Sequence, residues 1–132
     1  MIDVIKKTAG FIKEHPKSPN SLCCAEALYG IINGSMTSKS AITAISSILG
    51  YSININDDVP NVATAFVVTS IKVLRDILVA QHYWIAKDIA ELLLDMPSKD
   101  KLNDRNVVFD FNAVRIRSFN QKYPFRIPDI VI

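Results

Sequence analysis

Between residues 61 and 96 apolar side chains recur at helical spacing with no glycine or proline, and Pro97 closes the run. Drawn as one straight helix, that stretch is about 54 Å long. A compact domain of 132 residues has a radius of gyration of about 14 Å. A rod of that length projects out of such a body, so the pattern predicts two helices with a break near Gln81, His82 and Tyr83. No residue there forces the break. The first half would turn Phe66, Val67, Ile71, Leu74 and Leu78 inward, and the second Ile85, Ile89, Leu92, Leu93 and Met96.

The rest of the chain is punctuated more plainly. Ile2, Ile5, Ala9 and Ile12 form one stripe of a first helix, which Pro16 and Pro19 are expected to stop. A second helix is expected from a cap at Asn20 or Ser21 to Gly34, with Leu22, Ala25, Leu28, Tyr29 and Ile32 inward. A third, capped by Thr37 or Ser38 and closed by Gly50, would bury Ile42, Ile45, Ile48 and Leu49. Residues 51–60 read as a connection. Residues 107–111 alternate like a short strand, but Phe111, Val114, Arg115 and Phe119 also share a helical face, and a helix over roughly 104–121 is favoured. Residues 123–128 must be extended, because each proline restricts itself and the residue before it. The apolar ending Ile130-Val131-Ile132 is expected to pack on the body or on a partner. The fold expected is all-α: one domain over residues 1–132, five or six helices and an extended proline-containing C-terminal tail.

Composition narrows the function classes. Hydrophobic residues make up 49% of the chain, enough for a core without disulfide or metal staples. No stretch reaches about 18 continuous apolar residues, so no membrane span is expected, nor is a secretory signal. The two cysteines, Cys23 and Cys24, are adjacent and cannot link distant segments. Reduced thiols in a cytoplasmic protein are the natural reading, with one thiol inward and the other at the boundary. Net charge is +2, which permits an anionic partner without demanding one.

Two histidines and adjacent cysteines offer no zinc-site spacing, and no metal or other cofactor is expected. Asp88, Glu91 and Asp95 share a helix face, but a solvated face with a Lys87–Glu91 ion pair accounts for them. The four glycines form no phosphate-cradling loop. His82, beside Gln81, Tyr83 and Trp84, is the one plausible proton-transfer residue, and an enzyme centred there with Asp88 or Glu91 predicts a pocket open at the helix break. A nucleic-acid reading rests on Arg115, Arg117, Lys122 and Arg126 interleaved with Phe119, Tyr123 and Phe125, a mixture suited to phosphates and stacked bases.

The most unusual feature is the near absence of charge from residue 18 to residue 56, where Glu26 and Lys39 stand alone. Outer positions that usually carry Lys and Glu hold Ser38, Ser40, Thr43, Ser46 and Ser47 instead. Either these helices sit centrally in the fold, or their outer side meets another protein. The connection behind them adds Tyr51, Asn54, Asn56, Asp57 and Asp58, an aromatic anchor with hydrogen-bonding and acidic groups. The expectation is therefore a protein-binding module. Its most concrete form is a small cytoplasmic inhibitor of the immunity or antitoxin type that occludes a partner such as a toxin; nucleic acid is the weaker alternative, and the sequence leaves monomer and homodimer both open.

Overall fold

The computed structural model describes residues 1–50, 52–53 and 58–131. They form α1 (Ile2–Glu14), α2 (Pro19–Ile32), α3 (Ser38–Leu49), α4 (Asn61–Val79) and α5 (Tyr83–Leu94). A 3-10 turn, Lys99–Asn103, leads into a continuous rod: α6 (Arg105–Phe111), a π-helical turn (Asn112–Ile116) and α7 (Arg117–Lys122). Among the described residues there is no strand, so the helical alternative holds for the C-terminal third. No helix among them is long and apolar enough to cross a membrane.

α2, α4, α5 and α1 close a ring in which each packs on the next, and α3 lies outside it, against α2 and the flank of α1. Phe66, Ile71, Leu74, Ile89 and Leu93 fill the centre, each at most 1% exposed. Arg75 lies over the Tyr29 ring at 4.3 Å and ties α4 to α2. The α2–α3 turn depends on a close approach: a Cβ on Gly30 would sit 2.7 Å from Met36 Cγ and Sδ, so glycine leaves room for the Met36 side chain.

Several boundaries differ from expectation for local reasons. Ser18, not Asn20 or Ser21, caps α2, accepting from the Asn20 amide at 3.2 Å. Pro19 therefore begins α2 instead of ending α1, because its fixed φ and missing N–H suit the first helical position. Ser21 is instead a donor, 2.5 Å from the His15 carbonyl oxygen at the end of α1. In α3 only Ala41 and Ile45 are fully buried; Ile42, Ile48 and Leu49 are half-buried, because a helix outside the ring has neighbours on one side only.

The break in the long helical run falls where expected, and its chemistry explains why no residue announced it. Gln81 takes φ 63°. The Gln81 amide bonds to the Leu78 carbonyl and the His82 amide to the Ile77 carbonyl. That is the paired bonding of a helix end that normally places glycine in the left-handed position. A non-glycine residue there carries strain of about 1 kcal/mol. Gln81→Gly is expected to raise stability by about 1 kcal/mol, less the added freedom of the unfolded chain, read as a higher urea midpoint at unchanged slope.

The C-terminal segment after α7 folds back along the rod. Asn112 is buried; its Nδ2 donates to the Ile130 carbonyl at 2.8 Å and its Oδ1 accepts from the Ile130 amide at 2.9 Å. Asn120 treats Ile127 the same way, at 2.9 and 3.0 Å. Eight residues on a regular α-helix leave two side chains about 80° apart. The wider π-helical turn lies between Asn112 and Asn120, and its slower rotation per residue brings them back toward one line. Each amide side chain satisfies both backbone groups of one residue, so Ile127 and Ile130 bury their side chains without orphaning their peptide groups. The Val131 amide then bonds to the Val62 carbonyl on α4 at 2.9 Å.

Candidate functional site

Of the residues expected to bind a protein partner, Tyr51, Asn54, Asn56 and Asp57 lie outside the described residues; Asp58 is exposed. The uncharged stretch does not sit at the centre throughout. α2 does, but α3 is peripheral, with Ser38, Ser40, Thr43 and Ser47 exposed. Ser40, Thr43 and Ser47 are spaced i, i+3, i+7 and share one face. Ser46 is the exception among the expected outer positions. It is half-buried, and its Oγ accepts from the Ile53 amide at 3.2 Å, fixing the start of the connection.

The acidic face of α5 and the basic C-terminal segment, read separately from the sequence, are each other's partners. Arg115 reaches Asp95 at 2.6 Å and Glu91 at 3.5 Å. Lys122 is 3.2 Å from Asp88, which also accepts a short bond from the Tyr123 hydroxyl. The Asp88 carboxylate holds both the Lys122 ammonium and the Tyr123 phenol above their ordinary pKa, since each proton is retained by its bond to that carboxylate. Arg117 pairs with Asp129 at 2.8 Å. Lys87, expected to pair with Glu91, instead stands 5.4 Å from the Trp84 ring centre. Of the four cations assigned to nucleic acid, Arg126 is the one without a carboxylate partner among the described residues. Of their aromatic companions Phe119 is buried, stacked on half-buried Phe125 and tilted against half-buried Tyr123.

Asp88 and Glu91, the carboxylates expected to act with His82, are bonded to Lys122, Tyr123 and Arg115. The pocket expected at the helix break nevertheless exists. A cleft of about 800 Å³ runs between the α1–α2 turn and the α4–α5 corner, lined on one side by His15 and Lys17 and on the other by His82, Tyr83, Trp84 and Lys87. His15 and His82 are 67 positions apart, yet α1 packs along α5 so that the end of one helix meets the start of the other. Trp84 is 80% exposed, the most exposed large apolar side chain among the described residues. His82 makes no side-chain cap to α5. Sequence reasoning singled out His82 but missed His15 and Lys17, because only the pairing of α1 with α5 brings them there.

Cys24 is buried and Cys23 exposed. Burial, with Cys23 adding to it, pushes the Cys24 thiol up to about 11, so it stays protonated and unreactive at neutral pH. A thiol-specific reagent at pH 8 should modify one thiol per native chain and two after denaturation. Among the described residues no group of three or more His, Cys, Asp or Glu is placed to hold a metal ion. Comparison with protein-family models, curated proteins and solved structures finds no match.

Proposed function

We propose that the chain is a protein-binding module that docks its partner on the outer face of α3, acting in the cytoplasm as a small inhibitor of the immunity or antitoxin type. The observation that carries this reading is the position of α3. It lies outside the helical ring, and Ser40, Thr43 and Ser47 stand exposed on a face whose one charged side chain, Lys39, sits at its N-terminal end. Charge depletion at the centre of a patch, with half-buried aliphatic side chains beside it, is the composition of interface cores. Ile42, Ile48 and Leu49 supply the aliphatic part. A twelve-residue helix is about 18 Å long and falls short of the roughly 800 Å² per partner of a stable complex. Tyr51, Asn54, Asn56, Asp57 and Asp58 follow α3 directly in sequence and are proposed as further partner contacts.

The test is a triple variant, Ser40→Lys, Thr43→Lys and Ser47→Lys, which adds charge at exposed positions and leaves the core intact. Affinity capture from the native host at about 0.5 M salt, where surface electrostatics are screened, should recover one stoichiometric partner with the wild-type chain. The triple variant should lose it, weakening binding more than about a hundredfold, because three ammonium groups would be desolvated on docking. Equal recovery by the variant would reject α3 as the docking face.

A further inference from the structure

We infer that the cleft between the α1–α2 turn and the α4–α5 corner is a binding site for a small molecule that carries an anionic group on a flat aromatic body. The inference is independent of the α3 docking face. About 800 Å³ lies within the range of small-molecule pockets, and cations outnumber carboxylates in the lining: Lys17 and Lys87 against the single carboxylate of Glu14, with the imidazoles of His15 and His82 beside them.

The two lysines differ from the C-terminal cations. Arg115, Arg117 and Lys122 are each committed to a carboxylate of the chain itself. Among the described residues neither Lys17 nor Lys87 is. Each ammonium instead faces an aromatic ring of the cleft, Lys17 over Tyr83 at 5.9 Å and Lys87 over Trp84 at 5.4 Å. Such contacts hold a cation weakly at an exposed site, and they leave its N–H donors available to an anion. A carboxylate or phosphate bound there gains charge-assisted hydrogen bonds, and the imidazoles of His15 and His82 offer further polar contacts at the same end.

The aromatic requirement comes from the α5 wall. Tyr83, Trp84 and Ile85 follow one another along the first turn of α5. Lys87 approaches the Trp84 ring, yet 80% of that residue remains in solvent. An indole left so open loses apolar burial that a stacked ring would recover. An anion without a ring leaves this wall uncovered, and a ring without an anion leaves the lysines unsatisfied; the ligand chemistry that answers both is the aryl anion.

Trp84 is the sole tryptophan of the chain, so intrinsic fluorescence excited at the red edge of the indole band reads this cleft without a label. The probes are adenosine 5′-monophosphate, phenyl phosphate and phenylacetate, with adenosine and inorganic phosphate as the halves of the ligand. At least one aryl anion should give a saturable change with a dissociation constant below about 1 mM, at least about tenfold tighter than either half. Lys17→Ala with Lys87→Ala should weaken it by about tenfold or more, whereas Lys72→Ala, on the exposed side of α4, should leave it unchanged. Circular dichroism of the double variant checks that the helices are intact. Failure of all three aryl anions to saturate, equal binding of adenosine alone, or equal binding of inorganic phosphate alone would each overturn the assignment. The Ser40, Thr43 and Ser47 triple variant should bind the aryl anion normally, so the two sites fail separately.

Discussion

Phe66→Ala is expected to lower stability by about 4 kcal/mol, the largest single effect foreseen for this chain. Phe66 is wholly buried on α4, and its ring meets that of Phe111 edge-on, with centroids 5.5 Å apart and planes at 89°. Truncation forfeits the transfer energy of the ring and leaves a cavity that a ring of four packed helices cannot close. The contact also joins α4 to α6, so part of the loss should appear as loosening of the C-terminal rod. For a domain of this size, about 4 kcal/mol corresponds to a fall in Tm of about 15 °C. A double-mutant cycle with Phe111→Ala should return a coupling of about 1 kcal/mol for the aromatic pair. A loss below about 2 kcal/mol would mean that the two rings do not share one core.

The second large effect is assigned to a polar side chain. Asn112→Ala should cost about 3 kcal/mol, because it leaves both the amide and the carbonyl of buried Ile130 without partners. Asn120→Ala should cost less, since Asn120 and its bonds to Ile127 are only part-buried. Asn112→Asp is the sharper comparison. The carboxylate still accepts from the Ile130 amide but turns a second acceptor toward the Ile130 carbonyl, so it should destabilise at least as much as alanine at pH 7. Hydrogen exchange gives the direct readout: the Ile130 amide should lose protection in both Asn112 variants, while the Ile127 amide, held by Asn120, keeps most of its own. If Ile130 stayed protected in Asn112→Ala, the side-chain clamp would not be what holds the segment.

The contrast between these two residues shows what periodicity can and cannot reveal. Phe66 was legible as core because it falls with Val67, Ile71, Leu74 and Leu78 in one helical pattern. Asn112 was not, since asparagine is ordinarily a surface residue. Its alignment with Asn120 depends on a π-helical turn that no residue type signals. The break at Gln81 was legible from length alone, yet its mechanism was hidden because glutamine occupies a position that usually calls for glycine. The acidic stripe Asp88, Glu91, Asp95 and the cations Arg115 and Lys122 were each visible. Taken separately, one looked like a solvated face and the other like a surface for phosphates. Their mutual pairing is a tertiary fact about α5 and the rod, which neither stripe signals by itself. The corner cleft has the same character: His82 was found from its local setting, but Lys17 and His15 reach it only through the packing of α1 on α5.

α3 is the one helix of the first five outside the ring, and Lys39 is the only charged residue it contains. The most direct measurement is site-specific photo-crosslinking in the native host, with a benzophenone amino acid placed in turn at Ser40, Thr43 and Ser47, and at Lys72 as the reference. The account predicts a single discrete adduct of the same mass from the three α3 positions and none from Lys72. An adduct formed from Lys72 alone, or no adduct from any α3 position, would contradict it.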